Sequence, residues 1–154
     1  MAKVLVLAET RDGVLRNVSF EAIAAGAKIA DGGEVVAALI GDGVTGVADE
    51  LIAAGATRVI TVEHPHLKTY TSDGYSQAVL AVIEEESPEA IVFGHTSLGK
   101  DLSPKVASRL QAGLISDVTD IEGSGTDAVF IRPIYSGKAF EKVKIKDGDR
   151  KAHV

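Results

Sequence analysis

The chain of 154 residues contains no cysteine and no tryptophan. The absence of cysteine excludes disulfides, thiolate metal ligands and a cysteine nucleophile. No apolar run approaches the roughly 18 to 20 residues that a membrane-spanning helix needs, so the sequence predicts no membrane insertion. The first residues, Met1 to Val4, show neither the charged nor the apolar region of a signal peptide. We therefore expect a cytoplasmic protein of the bacterial type.

Basic residues are too few for a nucleic-acid-binding surface. Lys and Arg number 16 against 22 Asp and Glu, which gives a net charge of −6. Nucleic acids require a basic face, so we predict no nucleic-acid partner. The composition, 45% hydrophobic and 25% charged, is typical of a globular protein, and the length suffices for one domain with a core.

Apolar runs and helical patterns alternate along the first two thirds of the chain. Strands are predicted at residues 4–8, 34–40, 58–62 and 90–93. Helices are predicted at residues 17–30, 44–54, 74–86 and 103–112. Ser72 or Asp73 is the expected cap of the third helix, and Pro104 is expected to open the fourth.

The pattern changes after Gly113. Three further strands are predicted at residues 114–121, 128–135 and 138–145. Short glycine-containing turns separate them, which is typical of antiparallel hairpins. The predicted fold class is therefore α/β and Rossmann-like: a doubly wound, mainly parallel sheet with helices on both faces and a β-hairpin-rich C-terminal end.

Residues 94–101, Gly-His-Thr-Ser-Leu-Gly-Lys-Asp, follow the fourth predicted strand and nearly spell a phosphate-binding P-loop. A true P-loop has Ser or Thr after the lysine to hold Mg²⁺, whereas Asp101 places a negative charge there. The motif also belongs after a first strand. We therefore reject an NTPase and favour a turn glycine, a capped helix and an exposed lysine. The candidate cofactor-binding residues of this loop are Thr96, Ser97, Gly99 and Lys100.

The other polar clusters give weaker predictions. Only one glycine follows the first strand, so a self-contained dinucleotide fingerprint is absent. His64 and His66, with Glu63, suggest a metal, but an intervening proline marks a loop and metal sites need three or four ligands. Asp117 and Asp120, three apart in a strand, point to opposite faces. With no triad, nucleophile elbow or metal cluster, we predict no catalytic site.

Four stretches, in their order and spacing, resemble the alpha subunit of electron transfer flavoprotein. They are VLVLAE at 4–9, GHTSLGKDLSPKVA at 94–107, GLISDVTDI at 113–121 and RPIYSGKA at 132–139. The resemblance covers only the first domain of that family, which we place at 1–146, with a polar tail or start of a linker at 147–154. It implies an adenine-nucleotide-hydrolase-like fold. We expect a fragment, either an expressed domain or a proteolytic remnant.

The resemblance also implies a role. Electron transfer flavoprotein is an electron carrier, and its alpha subunit holds FAD mostly through a second domain that has no counterpart here, so no cofactor is expected in this fragment. The implied partners are the beta subunit and, through the full complex, dehydrogenases and an electron acceptor. The beta subunit resembles an adenine-nucleotide binder, which makes the 94–101 loop a remnant of a nucleotide site.

Two hypotheses remain open from the sequence. The first is a structural and heterodimerisation domain, not an enzyme, with interface residues in the β-rich end at Arg132, Tyr135 and Lys138 because a hairpin edge suits association. The second is a stand-alone adenine-nucleotide-binding regulatory module. The glycine set that a phosphate would need is weak, which favours the first.

Overall fold

The structure is a computed structural model that describes residues 3–94 and 96–110, together with the backbone of strands at 120–122, 129–134 and 139–143. The strands in these residues are β1 (Val4–Ala8), β2 (Thr10–Arg11), β3 (Val14–Leu15), β4 (Val35–Gly41), β5 (Arg58–Glu63), β6 (Ala90–Val92), β7 (Asp120–Glu122), β8 (Val129–Ile134) and β9 (Ala139–Val143). The helices are α1 (Asn17–Ala30), α2 (Ala48–Ala53), α3 (Ser72–Glu86) and α4 (Ser97–Leu110).

The centre of the fold is a parallel sheet in the order β5-β4-β1-β6. Leu5 of β1 pairs with Val36 of β4 on one side and with Ile91 of β6 on the other. Every residue of β1 and β4 is buried. This agrees with their continuous apolar runs, which predict strands that are covered on both faces.

Helices cover both faces of this sheet, which confirms the predicted fold class. Val4 and Val6 belong to a core cluster with Ile23 of α1 and Leu51 of α2. The alternate residues of β1, such as Leu5, belong to a second cluster formed with α3 and α4. The alternation arises because successive side chains of a strand point to opposite faces. No helix in the described part of the chain combines the length and apolarity required to cross a membrane.

Three helix predictions need correction. The helix predicted at 44–54 is a 3₁₀ turn, Thr45–Val47, followed by the short α2. The cap of α3 is Thr71, whose hydroxyl accepts a hydrogen bond from the Gly74 N–H at 3.2 Å, so neither Ser72 nor Asp73 has that role. Helix α4 begins six residues earlier than predicted.

Pro104 lies inside α4 and does not open it. Because proline has no N–H, the carbonyl four residues earlier, at Lys100, loses its helical donor. The helix nevertheless continues, since Leu102 and Val106 flank the proline and are fully buried in the core cluster under α3 and α4. Tertiary packing thus outweighs the local preference of proline.

A small hairpin, β2 and β3, follows β1 and was not predicted. Its turn consists of Asp12 and Gly13, whose φ values are 53° and 79°. Positive φ at both central residues is the requirement of a type I′ turn, and Asp-Gly is one of its preferred sequences. The hairpin occupies the position where a dinucleotide fingerprint would begin.

The C-terminal strands form a separate antiparallel sheet in the order β7-β8-β9, as predicted. Of the strand predicted at 114–121, only its last two residues fall in β7, and residues 111–119 lie outside the described part of the chain. Ile131 of the central strand β8 pairs with Asp120 on one side and Lys142 on the other.

The chain changes direction across the parallel sheet next to β1. Strands β4 and β5 lie on one side of β1, and the chain then crosses over to place β6 on the other side. In open α/β sheets, the crevice at the carboxyl ends of the two strands that flank such a switch point is where ligands bind. A ligand site is therefore expected at the carboxyl ends of β1 and β6.

A closed ring of opposite charges lies at the amino edge of the sheet. Arg58 Nε contacts Glu34 Oε1 at 2.8 Å, and the same guanidinium contacts Glu86. Lys3 Nζ lies 3.6 Å from Glu34 Oε2 and 3.5 Å from Glu86 Oε1. The pKa values of Glu34 and Glu86 are lowered, mainly by the hydrogen bond from Arg58. The ring ties the starts of three strands to the end of α3.

We predict that Arg58→Met lowers stability at neutral pH and less so in acid. Since the folded-state pKa values of Glu34 and Glu86 are depressed, their contribution is complete above the ordinary value of 4.5 and is lost as the pH falls through the lower folded values. Urea unfolding at pH 7 and pH 3 measures the difference between variant and wild type. The control is Lys100→Met, which removes an exposed cation outside the ring. A loss of unfolding free energy in Arg58→Met that is the same at pH 7 and pH 3 contradicts the prediction.

Candidate functional site

Glu9, the residue that follows β1, is buried at the switch point. Its side chain is 4% exposed. Arg16 Nη1 donates to Oε1 at 3.2 Å, and the hydroxyl of Thr96 donates to Oε2 at 2.8 Å. The Glu9 N–H donates to Ser19 Oγ at 2.8 Å, and that hydroxyl donates back to the Glu9 carbonyl at 3.0 Å. Glu9 thereby joins the end of β1 to the beginnings of α1 and α4.

Thr96 is the N-cap of α4. Its hydroxyl accepts a hydrogen bond from the Gly99 N–H at 3.0 Å while it donates to Glu9, and its carbonyl accepts from the Lys100 N–H at 2.8 Å. A threonine hydroxyl at this position satisfies one of the free donors of the first turn. Both directions of hydrogen bonding by this hydroxyl are therefore used within the protein.

The two glycines of the P-loop-like motif permit close packing. A Cβ built on Gly99 would lie 2.0 Å from the Gly94 carbonyl oxygen, so the first turn of α4 rests directly on the backbone that leaves β6. A Cβ built on Gly94 would lie 2.7 Å from Val18 Cγ2 and 3.0 Å from Glu9 Oε2. Both positions are filled by protein atoms, so the glycines do not form a cradle for a phosphate.

Asp101, which stands where a P-loop has Ser or Thr, is held by two donors. Lys105 Nζ donates to Oδ1 at 2.8 Å, and the Tyr70 hydroxyl donates to Oδ2. Lys105 and then Tyr70 lower the pKa of Asp101. Burial, followed by the hydrogen bond to Asp101, raises the pKa of Tyr70 to about 12. Asp101 thus connects α4 to the segment that precedes α3.

A cleft of about 320 Å³ opens at this edge of the sheet. Glu9 and Arg16 line it, together with Arg11 of the hairpin, Tyr70 and Ser97. Its volume is at the lower end of the range of about 300 to 1,000 Å³ that is usual for small-molecule sites. Arg16 bonds to the buried carboxylate of Glu9, and Arg11 is a second basic residue of the lining.

The four predicted site residues have different positions. Ser97 lines the cleft and is exposed, whereas Lys100 is exposed without lining it. Thr96 bonds to Glu9, and Gly99 is buried against the backbone. The sequence prediction missed Glu9, Arg16 and Tyr70, although an acidic residue directly after a fully apolar strand is a signal that could have indicated Glu9.

The histidine loop has a structural role in the described residues. Glu63 Oε1 accepts hydrogen bonds from the Val44 N–H at 2.8 Å and from Thr45, through its N–H at 2.9 Å and its hydroxyl at 2.6 Å. His64 Nδ1 accepts from the His66 N–H at 3.1 Å. The carboxylate considered as a metal ligand therefore closes the turn after β4.

The side chains of the predicted carboxylate pair lie outside the described residues. Asp117 falls in residues 111–119, which the structure does not describe, and Asp120 opens β7, of which only the backbone is described. Among the described residues, no group of three or more His, Asp or Glu side chains is placed to hold a metal ion.

Comparison with known proteins decides the family. The model of the electron transfer flavoprotein domain matches residues 4–149. The chain belongs to the electron transfer flavoprotein family. Together with the alpha-subunit relatives described next, this match confirms the resemblance to the N-terminal domain of the alpha subunit, and it does not favour a stand-alone nucleotide-binding module. The domain limits predicted at 146 and 147 stay predictions.

Three relatives illustrate the similarity. Electron transfer flavoprotein subunit alpha of Bacillus subtilis is 62% identical over 92% of this chain and 43% of its own length. Acryloyl-CoA reductase electron transfer subunit beta of Anaerotignum propionicum is 44% identical over 76% of this chain and 32% of its own length. Electron transfer flavoprotein subunit alpha of Syntrophomonas wolfei is 38% identical over 94% of this chain and 45% of its own length. The chain therefore spans less than half of the length of these relatives.

The described cleft does not fit the FAD that the family name implies. The pyrophosphate of a dinucleotide needs backbone N–H groups approached through side-chain-free glycines. Here Gly94 and Gly99 pack against each other, and the Glu9 carboxylate occupies the space beside Gly94. A pyrophosphate at this position would meet a buried negative charge.

We predict that Gly99→Ala destabilises the chain by about 3 kcal/mol, because its methyl group would overlap the Gly94 carbonyl and force backbone movement. Gly46→Ala is the matched control: Gly46 lies in an exposed 3₁₀ turn, and a Cβ there meets nothing within 4 Å. We expect this control to change stability by no more than about 0.5 kcal/mol. Equal effects of the two substitutions in urea unfolding would show that the close contact is absent.

We also predict that Asp101→Asn lowers the pKa of Tyr70 from about 12 towards the ordinary value of 10, while burial keeps it above that value. NMR titration of ¹³C-labelled tyrosine rings, with Tyr70→Phe to assign the signal, measures the shift. Because the folded-state pKa is raised, the contribution of the neutral phenol to stability is complete below pH 10 and is lost between pH 10 and about 12. An unchanged pKa in Asp101→Asn refutes the contact.

Proposed function

We propose that this chain is the N-terminal domain of the alpha subunit of an electron transfer flavoprotein and acts as a scaffold and as one half of a heterodimer. The observation that carries the proposal is the family match over residues 4–149, together with alpha-subunit relatives that are more than twice as long as the matched region. The FAD that carries electrons would be held mostly by the part of such subunits that this chain does not span.

The geometry of the switch-point cleft supports a scaffold over an enzyme. The polar groups of Glu9, Arg16 and Thr96 bond to one another, and Asp101 is held by Tyr70 and Lys105. A catalytic group needs a free hydrogen-bonding direction towards a substrate. The hydrogen bonds of these residues instead connect β1, α1 and α4, and these connections stabilise the domain.

The activity we propose for the complete protein is electron transfer from dehydrogenases to a downstream acceptor. Relatives whose names include electron transfer support this class of function. When bound in the full-length subunit, FAD supplies the redox chemistry. The contribution of this chain is then structural: it provides a folded base and a surface for the beta subunit.

The C-terminal sheet is the proposed contact surface for the beta subunit. Arg132 lies in β8, which is the central strand of this sheet, so the argument from an unpaired edge applies to the outer strands β7 and β9. An outer strand offers backbone N–H and C=O groups to a partner. The other two proposed interface residues, Tyr135 and Lys138, lie outside the described residues.

We predict that the purified 154-residue chain is colourless and still binds the beta subunit of its electron transfer flavoprotein. Absorption spectroscopy with intact mass measures the first property, and isothermal titration calorimetry measures the second. The control is the full-length alpha subunit with its beta subunit, which we expect to be yellow. Flavin bands in the spectrum of this chain alone would overturn the proposal that FAD is held elsewhere.

The surface is tested by charge reversal. We expect Arg132→Glu to weaken beta-subunit binding by about tenfold or more, as charge reversal within an interface commonly does. Lys100→Glu makes the same change in charge on the exposed surface of α4 and should bind as the wild type does. Equal affinities of the two variants would remove Arg132 from the interface without affecting the family assignment.

A further inference from the structure

The switch-point cleft has the cationic surroundings of an anion site. Arg16, the N-cap of α1, and Ser97, the first residue of α4, both line it. The amino end of a helix carries a partial positive charge and free N–H groups. The guanidinium of Arg16 and the hydroxyl of Thr96 add a full charge and a donor.

The position that these groups surround is filled by the protein itself. The two oxygens of Glu9 receive the hydrogen bonds from Arg16 at 3.2 Å and from Thr96 at 2.8 Å. The absent side chain of Gly94 leaves the room for this carboxylate, because a Cβ there would come within 3.0 Å of Oε2. The Glu9 side chain is 4% exposed. It therefore forms part of the wall of the cleft, and water does not take over its hydrogen bonds.

We propose that Glu9 is a built-in anion that determines the ligand specificity of this cleft. Its carboxylate takes the place that a phosphate group would take, neutralises Arg16 and uses the Thr96 hydroxyl. A phosphate that approached would therefore meet a buried like charge and donors that are already bonded. The charge of one side chain, Glu9, thus keeps phosphate-bearing ligands out of the cleft at the α/β switch point, whatever the electron-transfer role of the complete protein.

This assignment predicts a gain of binding when Glu9 is shortened. In Glu9→Ala, Arg16, Thr96 and the two helix ends face an open volume without a negative charge. We expect this variant to bind inorganic phosphate and AMP at least about tenfold more tightly than the wild-type chain, because a charged group left without its partner regains it from the ligand. Calorimetric titration with each probe measures affinity, and the melting temperature should rise with phosphate concentration.

Two control variants separate the cleft from general charge effects. Glu34→Ala removes an arginine-bonded carboxylate at the opposite edge of the sheet and should leave phosphate binding at the wild-type level. The double variant Glu9→Ala with Arg16→Ala should lose the gain, since the cation of the cleft is then absent. Circular dichroism establishes that each variant is folded before titration.

Two outcomes of these titrations overturn the proposal. The first is a folded Glu9→Ala variant that binds phosphate no more tightly than the wild-type chain does. The second is a gain in phosphate affinity that persists when Arg16 is also replaced. Should Glu9→Ala not fold, Glu9→Ser decides, because it also shortens the side chain and removes the charge. A folded Ser variant with wild-type affinity for phosphate overturns the proposal.

Discussion

The hydrogen-bonded carboxylate of Glu9 is the interaction on which the carboxyl edge of this domain depends. Thr96 is 87 residues away in the chain, and its hydroxyl bonds to Glu9 across the switch point. The backbone of Glu9 also fixes the hairpin. The Arg16 N–H donates to the Glu9 carbonyl at 2.9 Å, and this bond joins the two ends of the segment that contains β2 and β3. Burying a charge is costly unless it is paired and hydrogen-bonded, and here both conditions are met.

The two edges of the parallel sheet use charge differently. At the amino edge, Lys3, Glu34, Arg58 and Glu86 form a partly exposed ring in which each ion faces opposite charges. At the carboxyl edge, the pairing of Glu9 with Arg16 lies in a cleft. Solvent screens the partly exposed ring, whereas the Glu9 side chain, which is 4% exposed, is shielded from water. The ring therefore contributes to stability, whereas the pair of Glu9 and Arg16 also determines which ligands can enter the cleft.

Local patterns predicted the elements whose cause is local. Strand β1 and helix α1 have the predicted bounds. A continuous apolar run specifies a buried strand, and α1 ends where Asp31 and Gly32 adopt positive φ values. The start of α4 was wrong because Pro104 is a strong local signal for a helix opening, whereas the actual cap, Thr96, is stabilised by a residue from β1's end. Glu9 was missed for a related reason: the hydroxyl that bonds to its Oε2 belongs to Thr96, 87 residues away in the chain.

The resemblance of residues 94–101 to a P-loop shows why a short motif does not determine a site. In a P-loop the glycines let the backbone approach a phosphate. Here the same spacing lets the backbone of Gly94 approach Gly99, and Asp101 binds Tyr70 and Lys105 in place of a metal ion. A glycine leaves space where a side chain would be, but it does not specify what fills that space. Its role therefore depends on which atoms lie nearest. In this fold those atoms are the protein's own, and a carboxylate stands where a ligand's phosphate would be.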